Sequence, residues 1–172
     1  GHPGPAPLDV GLRYVPGGSG EARETTVRLA ARESRRVPDV LAELFGLATG
    51  AGALFVTPEG TRVVSATSRT WTASGAGSFG MSMGAVDLLA ASSVRFPLSF
   101  AGALPGAGYR TNAGGVDVAG RGATVGLRFA SESGWAGRSE LTFQAEPGGK
   151  TQLNRLSSWL GIEAWRAGAL EY

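Results

Sequence analysis

Val10-Gly11-Leu12-Arg13-Tyr14 and Val125-Gly126-Leu127-Arg128-Phe129 are nearly the same five residues, set 115 positions apart. Phe45-Gly46-Leu47 returns as Leu160-Gly161-Ile162 at that offset, and Ala51-Gly52-Ala53-Leu54 as Ala167-Gly168-Ala169-Leu170 at 116. Three anchors in one order at nearly one spacing mark a single supersecondary unit used twice. A repeat of this kind decides the fold before any local reading does.

The unit has a physical reading. Asp9 to Val15 alternates polar and apolar residues, the period of a half-buried strand. Pro16-Gly17-Gly18-Ser19-Gly20 turns the chain, and Thr25, Val27 and Leu29 alternate in the next strand. The period then lengthens. Pro38 suits a first helical turn, Asp39 and Glu43 suit the positive end of a helix, and Val40, Leu41, Leu44 and Phe45 share one face before Gly46. Ala53 to Val56 opens a third strand, Thr57-Pro58-Glu59-Gly60 turns, and Thr61 to Thr72 returns. In the second copy Val125 to Phe129 and Leu141 to Ala145 are strands around the turn Ser131-Glu132-Ser133-Gly134. Pro147-Gly148-Gly149 leads to a short helix capped by Thr151, with Leu153, Leu156, Trp159 and Leu160 on its buried face. Ala167 to Tyr172 begins the last strand. Both copies run strand, strand, helix, strand, which predicts an all-β, mainly antiparallel fold with a helix closing one end.

Composition narrows the function classes. The chain has 172 residues, of which 42% are hydrophobic and 17% charged, so a packed core is within reach. Gly 28 and Pro 9 favour many turns over helical bundles. A net charge of +2 is too small for a nucleic-acid binder driven by electrostatics. Cys 0 removes disulfides, thiolate nucleophiles and Cys-ligated metal, and the one histidine, His2, sits near the N-terminus. The most apolar stretch, Met83 to Ala107, is interrupted by Asp87, Arg95, Pro97 and Pro105, so no membrane insertion is expected. Neither a signal peptide nor a cofactor motif stands out.

Tyr109-Arg110-Thr111-Asn112, the strand Thr124 to Phe129, and Ser68-Arg69-Thr70-Trp71 followed by Gly77-Ser78-Phe79-Gly80 carry a resemblance. Together they resemble a tandem immunoglobulin-like β-sandwich repeat found towards the C-termini of large secreted proteins from Acidobacteria and related bacteria. The likeness runs from about Asp9 onward. It implies an Ig-like antiparallel β-sandwich in an extracellular or cell-surface protein, with no assigned catalytic residues. Ala113, Gly115 and Val118 stand where that repeat has larger residues, so a weak or bulged strand is expected there. The chain divides accordingly into a tail (residues 1–7), a first sandwich repeat (8–73), a linker with room for one strand (74–107) and a second repeat (108–172).

The copies are out of phase, each lacking a different edge element. The missing strands come from within the chain, from a neighbouring molecule by self-association, or from outside this sequence; completion within the chain is favoured. Unpaired edges invite pairing.

Chemistry-bearing motifs are weighed against plainer origins. Gly80-Met81-Ser82-Met83-Gly84 matches a nucleophile elbow, but it follows a Gly/Ser loop and lacks a histidine base, so it reads as a loop. Gly75-Ala76-Gly77-Ser78-Phe79-Gly80 matches a dinucleotide fingerprint without its βαβ context and reads as a linker loop. Arg28, Arg32, Arg35 and Arg36 are the candidate polyanion contacts, interleaved with Glu21, Glu24 and Glu33. Trp71 and Trp135 are the candidate ligand-binding aromatics, placed to stack a sugar ring, while Trp159 reads as core. The acidic residues Asp9, Asp39, Asp87 and Asp117 are scattered, with neither a calcium loop nor a glycosidase pair. The expectation is a non-catalytic structural or adhesion module. Its alternatives are a glycan-binding accessory module and a self-assembling surface or filament subunit.

Overall fold

A computed structural model describes residues 1–18, 20–75, 77–91, 99–103, 112–131, 140–160 and 168–171. The chain forms two compact units, Gly1–Val15 with Glu21–Ala90, and Ala91–Tyr172 with Pro16–Gly20. It is mostly antiparallel β-sheet, as expected from the alternating stretches.

In the first unit, β1 (Leu8–Pro16) pairs antiparallel with β2 (Arg23–Leu29), Leu8 opposite Leu29 and Val10 opposite Val27. Alternation turns one face of this pair inward. Leu8, Val10 and Leu29 form a buried cluster, packed against by Leu12, Val27, Val56 and Val64. The helix α1 (Val40–Phe45) is short and closed by its own ends. The Asp39 carboxylate accepts from the Ala42 N–H, the Glu43 carboxylate accepts from the Asp39 N–H, and Gly46 takes a left-handed φ of 64°. Pro38 therefore precedes the cap instead of opening the helix. Phe45 lies against Tyr14 with ring centroids 5.7 Å apart, and the Arg23 guanidinium donates to the Phe45 carbonyl. β3 (Gly52–Pro58) completes a sheet of order β2-β1-β3. β4 (Thr67–Ser74) and β5 (Gly77–Gly84) form a separate two-stranded hairpin, followed by a 3-10 turn at Leu88–Ala90.

The second unit contains β6 (Ser99–Ala103), β7 (Ala113–Val116), β8 (Ala123–Ser131), β9 (Glu140–Ala145), β10 (Lys150–Leu153), α2 (Leu156–Leu160) and β11 (Gly168–Glu171). One sheet has the order β6-β11-β8-β9, and β10 pairs with β7 apart from it. Leu127 faces Leu141 across β8 and β9, and both are buried with Ala113, Ala145, Leu153 and Leu156.

The order β2-β1-β3 recurs as β9-β8-β11. Agreement extends to single residues. Arg13 pairs with Glu24 across the first strands, and Arg128 with Glu140 across the second. After each second strand the chain turns sharply, the Glu33 N–H donating to the Ala30 carbonyl and the Gly149 N–H to the Glu146 carbonyl. The third residue of each turn has a positive φ, 57° at Arg32 and 64° at Gly148. Each turn then receives the segment that precedes the first strand. The His2 N–H donates to the Glu33 carbonyl at 2.9 Å, and the Asp117 N–H donates to the Gly149 carbonyl at 3.2 Å. His2 and Asp117 are the two buried polar residues among those described, 5% and 6% exposed. Residues 1–7 are thus tied down by backbone hydrogen bonds, which a Pro-rich composition does not announce.

Other expectations shift. The stretch from Thr61 begins its strand only at Thr67, because the Ser65 N–H is drawn to the Gly1 carbonyl. Thr151 lies in β10 and not at a helix cap, its hydroxyl donating to the Gln144 carbonyl, and α2 starts at Leu156. Trp159 is 52% exposed, so it is not core: five residues of helix bury Leu156 and leave Trp159 outside. The stretch at Ala113 pairs with β10 over all four residues with no bulge and buries Ala113. The segment 74–107 carries strand over 77–84 and 99–103. Both Thr67–Ser74 and Ala113–Val116 find their partners in the same chain.

Left-handed backbone costs a residue with a Cβ roughly 1–2 kcal/mol, and glycine gives back roughly 0.5–1 kcal/mol through chain entropy. Arg32→Gly is therefore expected to stabilise the protein by about 0.5–1 kcal/mol, and Gly148→Ala, at a buried position, to destabilise it by at least about 1 kcal/mol. Thermal unfolding of the two variants checks both signs.

Candidate functional site

The most exposed apolar surface among the described residues lies on the β4–β5 hairpin and its C-terminal continuation. Thr70 pairs with Met81, Trp71 with Gly80 and Ser68 with Met83. Paired residues share a face, so Trp71 stands with Arg69 and Ser82 on one side, Met81 and Met83 on the other. Both sides are open. Trp71 is 59% exposed, and Met81, Met83, Val86 and Leu88 are also exposed, with Leu89 at 95%. Gly80 is required opposite the tryptophan. A Cβ there would come within 2.5 Å of the Thr70 carbonyl oxygen and 2.9 Å of the Trp71 Cβ. The glycine thus gives the large ring room over the paired strand.

The arginine cluster does not gather into one free cationic patch. Arg28 donates to both Asp9 carboxylate oxygens, at 3.2 and 3.1 Å, and Arg35 pairs with Glu33 at 2.9 Å. Arg32 occupies the left-handed turn, and Arg36 is exposed. Two of the four charges are thus neutralised by neighbours.

Asp117 is the residue that sequence reasoning passed over as one of several scattered acids. Its carboxylate accepts backbone N–H groups from Gly122 at 2.7 Å, Ala119 at 3.0 Å and Gly148 at 3.2 Å. The Gly122 N–H foremost, aided by Gly148, Ala119 and Arg121, holds this carboxyl below its ordinary value against the opposing effect of burial. The signal for it was the run Asp117 to Gly122, an acceptor followed by two glycines that take positive φ. With its lone pairs turned to the backbone it braces the turn after β9. Glu33 braces the matching turn in the first unit: its carboxylate accepts the Ala30 N–H and pairs with Arg35, and both lower its titration.

Ser82 lies within β5, paired with Arg69, so the nucleophile-elbow match is a strand and not a strand-to-helix turn or a loop. Gly77 to Gly80 of the glycine-rich match lie in β5 and not in a linker. Trp135 lies outside the described residues. Among the described residues no three His, Cys, Asp or Glu side chains gather as metal ligands, and no helix is long and apolar enough to cross a membrane.

A carboxylate with a lowered pKa stabilises the fold fully above its ordinary value of about 4. That contribution fades as pH falls through the folded value. Asp117→Ala is therefore expected to lower stability at neutral pH, and to make stability less sensitive to acid below about pH 4 than in the parent chain. Urea titrations of both proteins at a series of acidic pH values measure this, and parallel pH profiles would refute it.

Comparison with protein-family profiles, with curated proteins and with solved structures found no match to this chain.

Proposed function

We propose that the chain is a non-catalytic structural or adhesion module of an extracellular or cell-surface protein, built from two copies of one β-β-helix-β unit in an Ig-like, sandwich-type arrangement. The observation that carries this reading is the recurrence of β2-β1-β3 as β9-β8-β11, down to the left-handed third turn residue and the segment hydrogen-bonded to it. Convergence on a common strand order is frequent, but convergence on the same turn and the same cross-strand Arg–Glu pair points to duplication. Strand pairing confined to each unit suits a chain that bears load or spaces other parts apart. The buried Asp117 carboxylate is turned to backbone N–H groups of its own unit, a bracing role that suits this reading.

Stretched between tethers at its two ends, the full chain is expected to give two separate unfolding events, one for each unit. A smooth extension without events would overturn the spacer reading.

A second reading, glycan binding, draws on the exposure of Trp71 beside Arg69 and Ser82, an aromatic platform flanked by hydrogen-bonding groups. Exposed surface substitutions usually change stability by no more than about 0.5 kcal/mol. Trp71→Ala is thus expected to leave the unfolding midpoint nearly unchanged while abolishing retention on a glycan array. Equal retention by both proteins would remove Trp71 from this role.

A further inference from the structure

The two units differ at one edge. In the second, the outer side of β11 is covered by β6, with Phe100 opposite Leu170 and Ala101 opposite Ala169. In the first, the corresponding outer side of β3 carries no strand among the described residues. The opposite edge of that sheet, β2, bears Arg23, Glu24 and Arg28, charges of the kind that keep foreign strands away. β3 reads Gly52-Ala53-Leu54-Phe55-Val56-Thr57-Pro58, with no charge at all, and its Leu54 is 41% exposed. An unguarded, apolar, hydrogen-bonding edge next to a guarded one is a site for β-augmentation.

We propose that the outer edge of β3 binds an extended, uncharged polypeptide strand with the chemistry of β6, Ser99-Phe100-Ala101-Gly102-Ala103, supplied by a partner chain. This inference rests on the reading of the chain as a duplicated unit, and the pairing seen at β11 sets its geometry. The strand runs antiparallel to β3. The tetrapeptides Ala51-Gly52-Ala53-Leu54 and Ala167-Gly168-Ala169-Leu170 correspond. The incoming alanine in the place of Ala101 therefore lies opposite Ala53, and the aromatic residue in the place of Phe100 lies opposite Leu54. Backbone N–H and C=O groups supply the affinity. The absence of charge on β3 selects against acidic or basic strands, whose side chains would lose solvation against Leu54 and Val56 without gaining a partner.

The probe is a peptide of the sequence Pro97 to Pro105, added to the full chain, with amide hydrogen exchange as the readout. At a concentration about ten times its Kd, exchange across Gly52–Pro58 is expected to slow by about tenfold. Thr57→Lys and the double variant Leu54→Lys/Thr57→Lys place charges on the edge at exposed positions, and both are expected to lose that protection. A peptide carrying Ala101→Pro is expected to give none. Unchanged exchange over Gly52–Pro58 at saturating peptide would overturn the proposal, as would protection that survives the lysine variants. So would protection confined to Gly168–Glu171, which would mean that the peptide merely exchanges with β6. Two unfolding events under tension with no peptide protection would sink the edge site and leave the duplicated module standing.

Discussion

A sharp turn after the second strand of each unit holds the segment that leads into the first strand. Its third residue takes a left-handed φ, and this reversal brings the chain back to meet the segment lying just ahead of the first strand. Without that reversal β2 and β9 would run on into solvent, and neither His2 nor Asp117 would be covered. The two units meet the requirement with different chemistry. The second has Gly148, which adopts the conformation at no steric cost, and a carboxylate from outside the turn. The first has Arg32, which bears the strain, and a carboxylate from within the turn, Glu33. The same backbone path thus tolerates different side chains as long as its N–H groups find acceptors.

The two edges of the first sheet differ in charge. Charged residues along β2 defend one edge of the first sheet, whereas β3 has none. The β4–β5 hairpin is unusual in exposing large apolar side chains on both of its sides. Two-stranded ribbons alone are marginal in water, and exposed apolar patches usually mark contact surfaces. An uncharged sheet edge at β3 and an exposed aromatic hairpin lie on the same unit.

The strands around Leu12 and Leu127 were legible because period-two alternation leaves an apolar face that only a sheet can bury. The α1 helix was legible because Asp39 and Gly46 carry their capping chemistry in the sequence. Thr61 to Ser65 was misread because the segment's polarity pattern is compatible with a strand, and only the distant Gly1 carbonyl diverts it. Ser82 was read as a loop from its glycine-rich surroundings, yet glycine opposite Trp71 is what a strand needs there. Helical spacing puts Trp159 on the core face, but spacing gives the face and not the number of helical turns that are covered. The run Asp117 to Gly122 carries the local half of the Asp117 acceptor role, but the bond to Gly148, 31 residues away, that ties it to the turn after β9 has no local pattern.

By itself, then, the amino-acid order determined the mainly antiparallel β character, the strands around Leu12 and Leu127 and the capped helix between Asp39 and Gly46, since periodicity and turn chemistry act between near neighbours. Tertiary structure alone decided that the N-terminal residues are bound, that the hairpin stands with both faces open, and that β11 is flanked by β6 while β3 has no outer strand among the described residues. Those outcomes depend on which distant backbone groups compete for the same hydrogen-bonding partner, and no local pattern records the result of that competition.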